Sequence, residues 1–105
     1  MGAVPQLTDV QRRAALDKAI TARRERAEVK EALKQGRLSL AEAMASDSEA
    51  IRKMPARALL ESLPRMGKVR AQRLLAEMGI APSRRLGGLG PRQRQRLVEW
   101  SAPRS

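Results

Sequence analysis

An all-α fold is predicted from three observations. No run of β-branched or aromatic residues alternates over four positions, so strand signals are missing. Apolar residues recur at helical spacing instead, as in Leu59, Leu60, Leu63 and again in Leu74, Leu75, Met78. Two capping-box patterns, Thr8 with Gln11 and Ser39 with Glu42, mark helix starts, and Gly and Pro punctuate the rest. At 105 residues the chain fits one domain. The expected organisation is a basic, partly projecting helix over 1–35, then a compact helical domain over 36–105.

Thr8 opens the first helix, and no Gly or Pro interrupts it before Gly36. Some 27 residues at 1.5 Å each reach roughly 40 Å, further than a domain with a radius of gyration near 13 Å is wide. Its apolar stripe (Ala15, Leu16, Ala19, Ile20, Ala22, Val29, Leu33) is narrow and weakened by Arg26. Only part of it is expected to pack; the half with Arg12, Arg13, Lys18, Arg23 and Arg24 should project. Glu25, Glu28 and Glu31 stand beside Arg and Lys at i,i+3 and i,i+4 spacing, which predicts local ion pairs.

Ser39 opens a short helix from Leu40 to about Ala45, and Ser46-Asp47-Ser48 caps another turn reaching Met54. Pro55 suits the first position of a helix running to Ser62, where its missing N–H is not needed. A helix from about Lys68 to Met78 follows, with Val69, Leu74, Leu75 and Met78 inward and Gly79 as its stop. Residues 81–90 read as a two-turn connector. Pro91 opens the last helix, which turns Leu97, Val98 and Trp100 toward the core.

The positive charge is unevenly placed. Of the net +11, residues 63–105 carry +8, with 10 basic and 2 acidic residues, whereas residues 36–62 are neutral. A one-sided basic domain reads as a footprint for a polyanion. Without Cys or His there is no disulfide, thiolate, imidazole base or ordinary zinc site, and the remaining carboxylates, Lys and Ser form no recognisable catalytic pair. The chain is therefore expected not to be an enzyme and to use neither a metal nor a cofactor. No apolar run approaches the 18 or so residues that span a bilayer. Met1–Leu7 lacks the features of a signal peptide, and Gln6 breaks the myristoylation pattern begun by Gly2. A cytoplasmic protein with no membrane partner is the expectation. Trp100 is the single aromatic residue, which argues against base-stacking platforms for single strands and for a duplex held through its phosphates.

The most informative stretch is Leu63-Pro64-Arg65-Met66-Gly67-Lys68-Val69-Arg70-Ala71, where Pro64 and Gly67 are expected to break the preceding helix and allow a tight turn. Lys68 and Arg70, with Arg73 one turn on, occupy the start of a helix, an end already positive from its unpaired amides. An external anion resolves that misfit, and a phosphate fits the free amides of Gly67, Lys68 and Val69 with Arg65, Lys68, Arg70 and Arg73 around them. A second device repeats the pattern: Gly87-Gly88-Leu89-Gly90-Pro91-Arg92 sets a glycine-rich turn before another helix. Gly88 and Gly90 would let backbone approach a phosphate, and Arg92 would sit beside it. Arg84 and Arg85 lie between the turns, able to reach a phosphate or a narrow minor groove. Arg92, Arg94 and Arg96 alternate on one helix and cannot all face one way.

These residues carry a resemblance. Leu63-Pro64-x-x-Gly67-Lys68-x-x-Ala71-x-x-Leu74-Leu75, with Gly79-Ile80, Gln93 and Leu97, resembles the helix–two-turn–helix motif, here over about 63–100. That motif occurs in a small-subunit ribosomal protein and in formamidopyrimidine-DNA glycosylases. The chain lacks the latter's Pro-Glu start and zinc-binding Cys. More specifically it resembles the actinobacterial integration host factor family, through Pro5-x-Leu7-Thr8, Ala22-Arg23-Arg24-x-Arg26-Ala27, Ala58-Leu59-Leu60-Glu61-x-Leu63-Pro64, Gly67-Lys68-Val69 and Arg84-Arg85…Gly88-Leu89-Gly90. Gly87 and Pro55 depart from it, each standing where the family has a basic residue. The resemblance implies a nucleoid-associated architectural protein that binds double-stranded DNA with little sequence preference. It further implies roles in chromosome organisation and phage integration, with phage integrase complexes as partners. A monomer in solution is expected. The rival expectation is a ribosomal-type protein that binds structured RNA.

Overall fold

A computed structural model of the chain describes residues 8–102. The expectations placed on Met1–Leu7 lie outside the described residues. Six α-helices and one 3₁₀ turn follow one another: α1 (Asp9–Lys34), α2 (Leu40–Met44), α3 (Glu49–Arg52), α4 (Ala56–Glu61), α5 (Lys68–Glu77), the 3₁₀ turn Leu86–Gly88 and α6 (Pro91–Ser101). No strand occurs among the described residues, and none of the helices is long and apolar enough to cross a membrane.

Both capping boxes form. Thr8 Oγ1 accepts from the Gln11 N–H at 3.1 Å while Gln11 Oε1 accepts from the Thr8 N–H at 2.8 Å. Ser39 and Glu42 exchange the same pair at 3.0 Å each. The Ser39 N–H, then its hydroxyl, hold the Glu42 carboxyl below the usual carboxylate range. Gly36 and Gly79 end α1 and α5 with φ of 74° and 68°, where a side chain would be strained.

The core is one cluster. Val29 and Leu33 from the end of α1 meet Leu40, Ala43 and Met44 of α2, Ile51 and Met54, Leu59 and Leu60 of α4, Ala71 and Leu75 of α5, then Ile80, Leu86, Leu89 and Leu97. The first thirteen residues of α1 are all exposed, Leu16 at 60 % and Ile20 at 45 %. That half of the helix extends from the packed body, and the molecule measures 66 × 27 × 23 Å.

Several expectations are corrected. Among the described residues the salt bridges are Lys53–Glu49 and Arg57–Glu61, so the expected ion pairs of α1 do not form. Glu31 instead accepts from the Gln35 amide at 2.8 Å. Pro55 is the residue before α4 rather than its first, with ψ at 140°. Its extended backbone belongs to a short antiparallel bridge to Arg85, in which the Ala56 N–H donates to Arg84 O and the Leu86 N–H to Met54 O, both at 2.8 Å. Ser48 precedes α3 without a side-chain cap; its own N–H donates to Ser46 Oγ at 3.2 Å. Val69 does not face inward but is 67 % exposed. Ala71 and Leu75 own the buried face of α5, and Val69 lies about 200° of helical rotation from Ala71. Trp100 is 41 % exposed, because Leu97 takes the core position of α6. The indole lies instead over a shallow cleft with Met66, Arg70, Arg73 and Leu74.

Candidate nucleic-acid interface

The start of α5 has the features of an anion site. Gly67 is its N-cap and no side chain caps it. The first intrahelical bond is Ala71 N–H to Gly67 O at 3.0 Å, so the amides of Lys68, Val69 and Arg70 precede it. All of Gly67 to Arg70 is exposed. Gly67 has φ −93° and ψ 173°, open to any residue, and a Cβ there would touch nothing within 4 Å. The fold therefore does not require glycine at this position. Its missing side chain keeps the amides bare.

The turn before α5 is made differently from the sequence expectation. Gly67 is not the residue that bends the chain; Arg65 is, with φ at +64°. The Met66 N–H donates to Leu63 O at 3.2 Å, closing a four-residue turn with Pro64 second and Arg65 third. A positive φ at a non-glycine costs about 1–2 kcal/mol. The Arg70 guanidinium donates to Arg65 O at 3.2 Å and braces that residue. Arg70 and Arg73 also line the cleft under Trp100. Lys68 is the cation nearest the bare amides in the chain.

The second turn is only partly as expected. Gly88 N–H donates to Arg85 O at 2.9 Å and Leu89 N–H to Leu86 O at 3.4 Å. The Gly90 N–H donates to Gln93 Oε1 at 3.0 Å. Gly88 and Gly90 thus have amides satisfied within the chain. What they present is exposed backbone at Gly88 and a half-buried N-cap at Gly90. Arg92 is exposed on the first turn of α6. Gln93 Nε2 donates to Gly79 O at 3.3 Å, tying the start of α6 to the end of α5. The two turns therefore sit at opposite ends of α5, on the order of 18 Å apart at 1.5 Å per residue.

Arg84 and Arg85 are both exposed and both anchored through their backbone by the bridge to Met54–Ala56. The Arg84 guanidinium also reaches Gly88 O at 3.2 Å. Arg94, by contrast, turns inward. It donates to Met44 O at 2.7 Å and to Leu86 O at 3.2 Å, joining α2, the connector and α6. Alternation of Arg92, Arg94 and Arg96 signalled that one must differ, but Met44 is too distant in sequence to identify which. Arg94→Ala should cost about 2 kcal/mol, or roughly 10 °C in Tm, because two charge-assisted bonds to carbonyls are lost. Arg92→Ala should leave Tm unchanged by thermal denaturation, and equal losses from the two would refute the distinction.

The sequence profile of the S13-like H2TH domain matches residues 33–100. The chain is 54 % identical over 99 residues to an integration host factor of Mycobacterium tuberculosis, covering 92 % of this chain and 94 % of that protein. It is 53 % identical over 93 residues to the integration host factor of Streptomyces coelicolor, covering 87 % of each. A solved structure described as sIHF bound to an 8bp palindromic DNA superposes with a TM-score of 0.79 at 46 % identity, over 82 % of this chain and 99 % of that one.

Proposed function

The chain belongs to the integration host factor family, and from that premise we propose that it is a double-stranded DNA-binding architectural protein. We read it as a binding protein and not an enzyme, working at the nucleoid as a monomer. Its division into a projecting basic helix (1–35) and a compact DNA-binding body (36–105) is part of the same proposal. The observation that supports it best is the uncapped start of α5: bare amides behind Gly67, Lys68 beside them, and a glycine that nothing in the fold demands. Phosphates would dock there and beside Arg92, with Arg84 and Arg85 between. Arg65 and the Val69 amide border the first position, while Arg70 and Arg73 enlarge the field around it.

Contacts of this kind read backbone and groove shape, so little sequence preference is expected. Chromosome organisation and support of phage integrase complexes follow as the roles such a protein would serve. A competition assay tests the class of partner: a fluorescent 20-bp DNA duplex should be displaced by unlabelled DNA duplex at far lower concentration than by RNA duplex of equal length. RNA displacing it as well or better would favour the ribosomal-type reading.

A further inference from the structure

Arg52, at the end of α3, belongs to the part of the chain whose net charge is zero, and nothing so far gives it a role. Its surroundings do. The 3₁₀ turn packs against α3, and a Cβ built on Gly87 would lie 3.2 Å from Arg52 O, 3.3 Å from Arg52 Cβ and 3.3 Å from Arg52 Nε. Gly87 is thus the connector glycine at which a side chain would be most crowded, by the backbone oxygen, Cβ and Nε of Arg52 beside the turn that holds Arg85. Arg52, Arg85, Gly87 and Gly88 line one open depression together with Asp47, Glu49 and Lys53. Lys53 is engaged by Glu49 at 3.1 Å. Arg52 makes no salt bridge among the described residues and is exposed.

We infer that Arg52 is a further phosphate-contacting residue of the DNA interface, and that Gly87 is glycine so that Arg52 can lie beside Arg85. Arg52 extends the connector's pair of arginines by a third cation drawn from a different helix. Sequence spacing hides it, since 35 residues separate positions 52 and 87. This inference rests on the DNA-binding reading above. It predicts that the depression beside the 3₁₀ turn faces the same duplex backbone as Arg85.

The test measures duplex affinity of the full chain from 0.05 to 0.5 M salt for wild type, Arg52→Gln, Arg52→Lys and Lys53→Gln. Losing one phosphate contact flattens the log–log salt slope by about 0.9, which is about a fivefold weaker affinity at 0.15 M salt. Arg52→Gln should show both changes, with an unaltered Tm because the side chain is exposed. Arg52→Lys should keep the slope, and Lys53→Gln should behave as wild type. Gly87→Ala should reproduce part of the Arg52→Gln loss, because its methyl crowds the Arg52 backbone. Wild-type slope and affinity in Arg52→Gln would overturn the inference, as would an equal loss from Lys53→Gln. A wild-type protein without salt-dependent duplex binding would instead overturn the DNA-binding reading itself.

Discussion

Gly67→Asp should lose duplex affinity by 100-fold or more while its Tm stays level or rises. Asp is among the preferred N-cap residues and Gly ranks slightly below it. The backbone at position 67 already has the extended conformation that an N-cap adopts, and a Cβ meets no neighbour. The carboxylate would therefore accept from the amides at the start of α5, where its charge also suits the helix dipole. Those amides are the ones proposed for the phosphate. The substitution removes a charge-assisted site worth about 1.5–3 kcal/mol and adds a like charge facing the ligand, and each 1.4 kcal/mol is tenfold. Stability and binding are predicted to move in opposite directions, which separates a binding role from a structural one. Calorimetry with a fluorescence titration reads both. A variant that binds as wild type would reduce Gly67 to a turn residue.

Arg84→Ala with Arg85→Ala should flatten the salt slope by about two units and weaken affinity roughly 25-fold at 0.15 M salt. Both side chains extend from backbone pinned at 2.8 Å to Met54 and Ala56, so they approach a groove without first being ordered. Tm should fall by little, because exposed charges contribute little to folding. Only the Arg84–Gly88 hydrogen bond at 3.2 Å is lost from the fold. The matched Arg23→Ala with Arg24→Ala variant should lose less. Those two lie exposed on α1, outside the connector that the bridge to Met54–Ala56 fixes. The Glu residues nearby do not pair with them in ion pairs, so the comparison depends on positioning and not on neutralisation. A larger loss from the α1 pair, with the connector variant binding normally, would move the main contact to α1.

How much of this was legible depends on the range of the interactions concerned. Thr8–Gln11 and Ser39–Glu42 were readable because a capping box closes within three residues. Gly36 and Gly79 were readable because a helix end with positive φ favours glycine over every other residue. Arg65 was not, since arginine carries no signature for a left-handed backbone and Gly67 offered the obvious substitute. Pro55 stands one residue before α4, not within it, because its backbone pairs with Arg85, thirty residues away. Hydrophobicity alone points Trp100 and Val69 inward, but helical phase against Leu97 and Ala71 turns them outward. For the candidate site, the misfit of Lys68 and Arg70 at a helix start was visible without coordinates. The consumption of the Gly88 and Gly90 amides was not, because their acceptors follow from the 3₁₀ turn and the rotamer of Gln93. Arg94 and Arg52 were hidden for a related reason: what they touch lies 50 and 35 residues away.

The salt dependence of duplex affinity decides whether phosphates dominate binding. The bare amides of α5, Lys68, Arg92, the connector arginines and their neighbours amount to about 5–7 phosphate contacts, which predicts a log–log slope of about −5 to −6. The slope should be the same for duplexes of unrelated sequence. A slope near zero, or a thousandfold preference for one sequence at constant salt, would contradict binding dominated by phosphates.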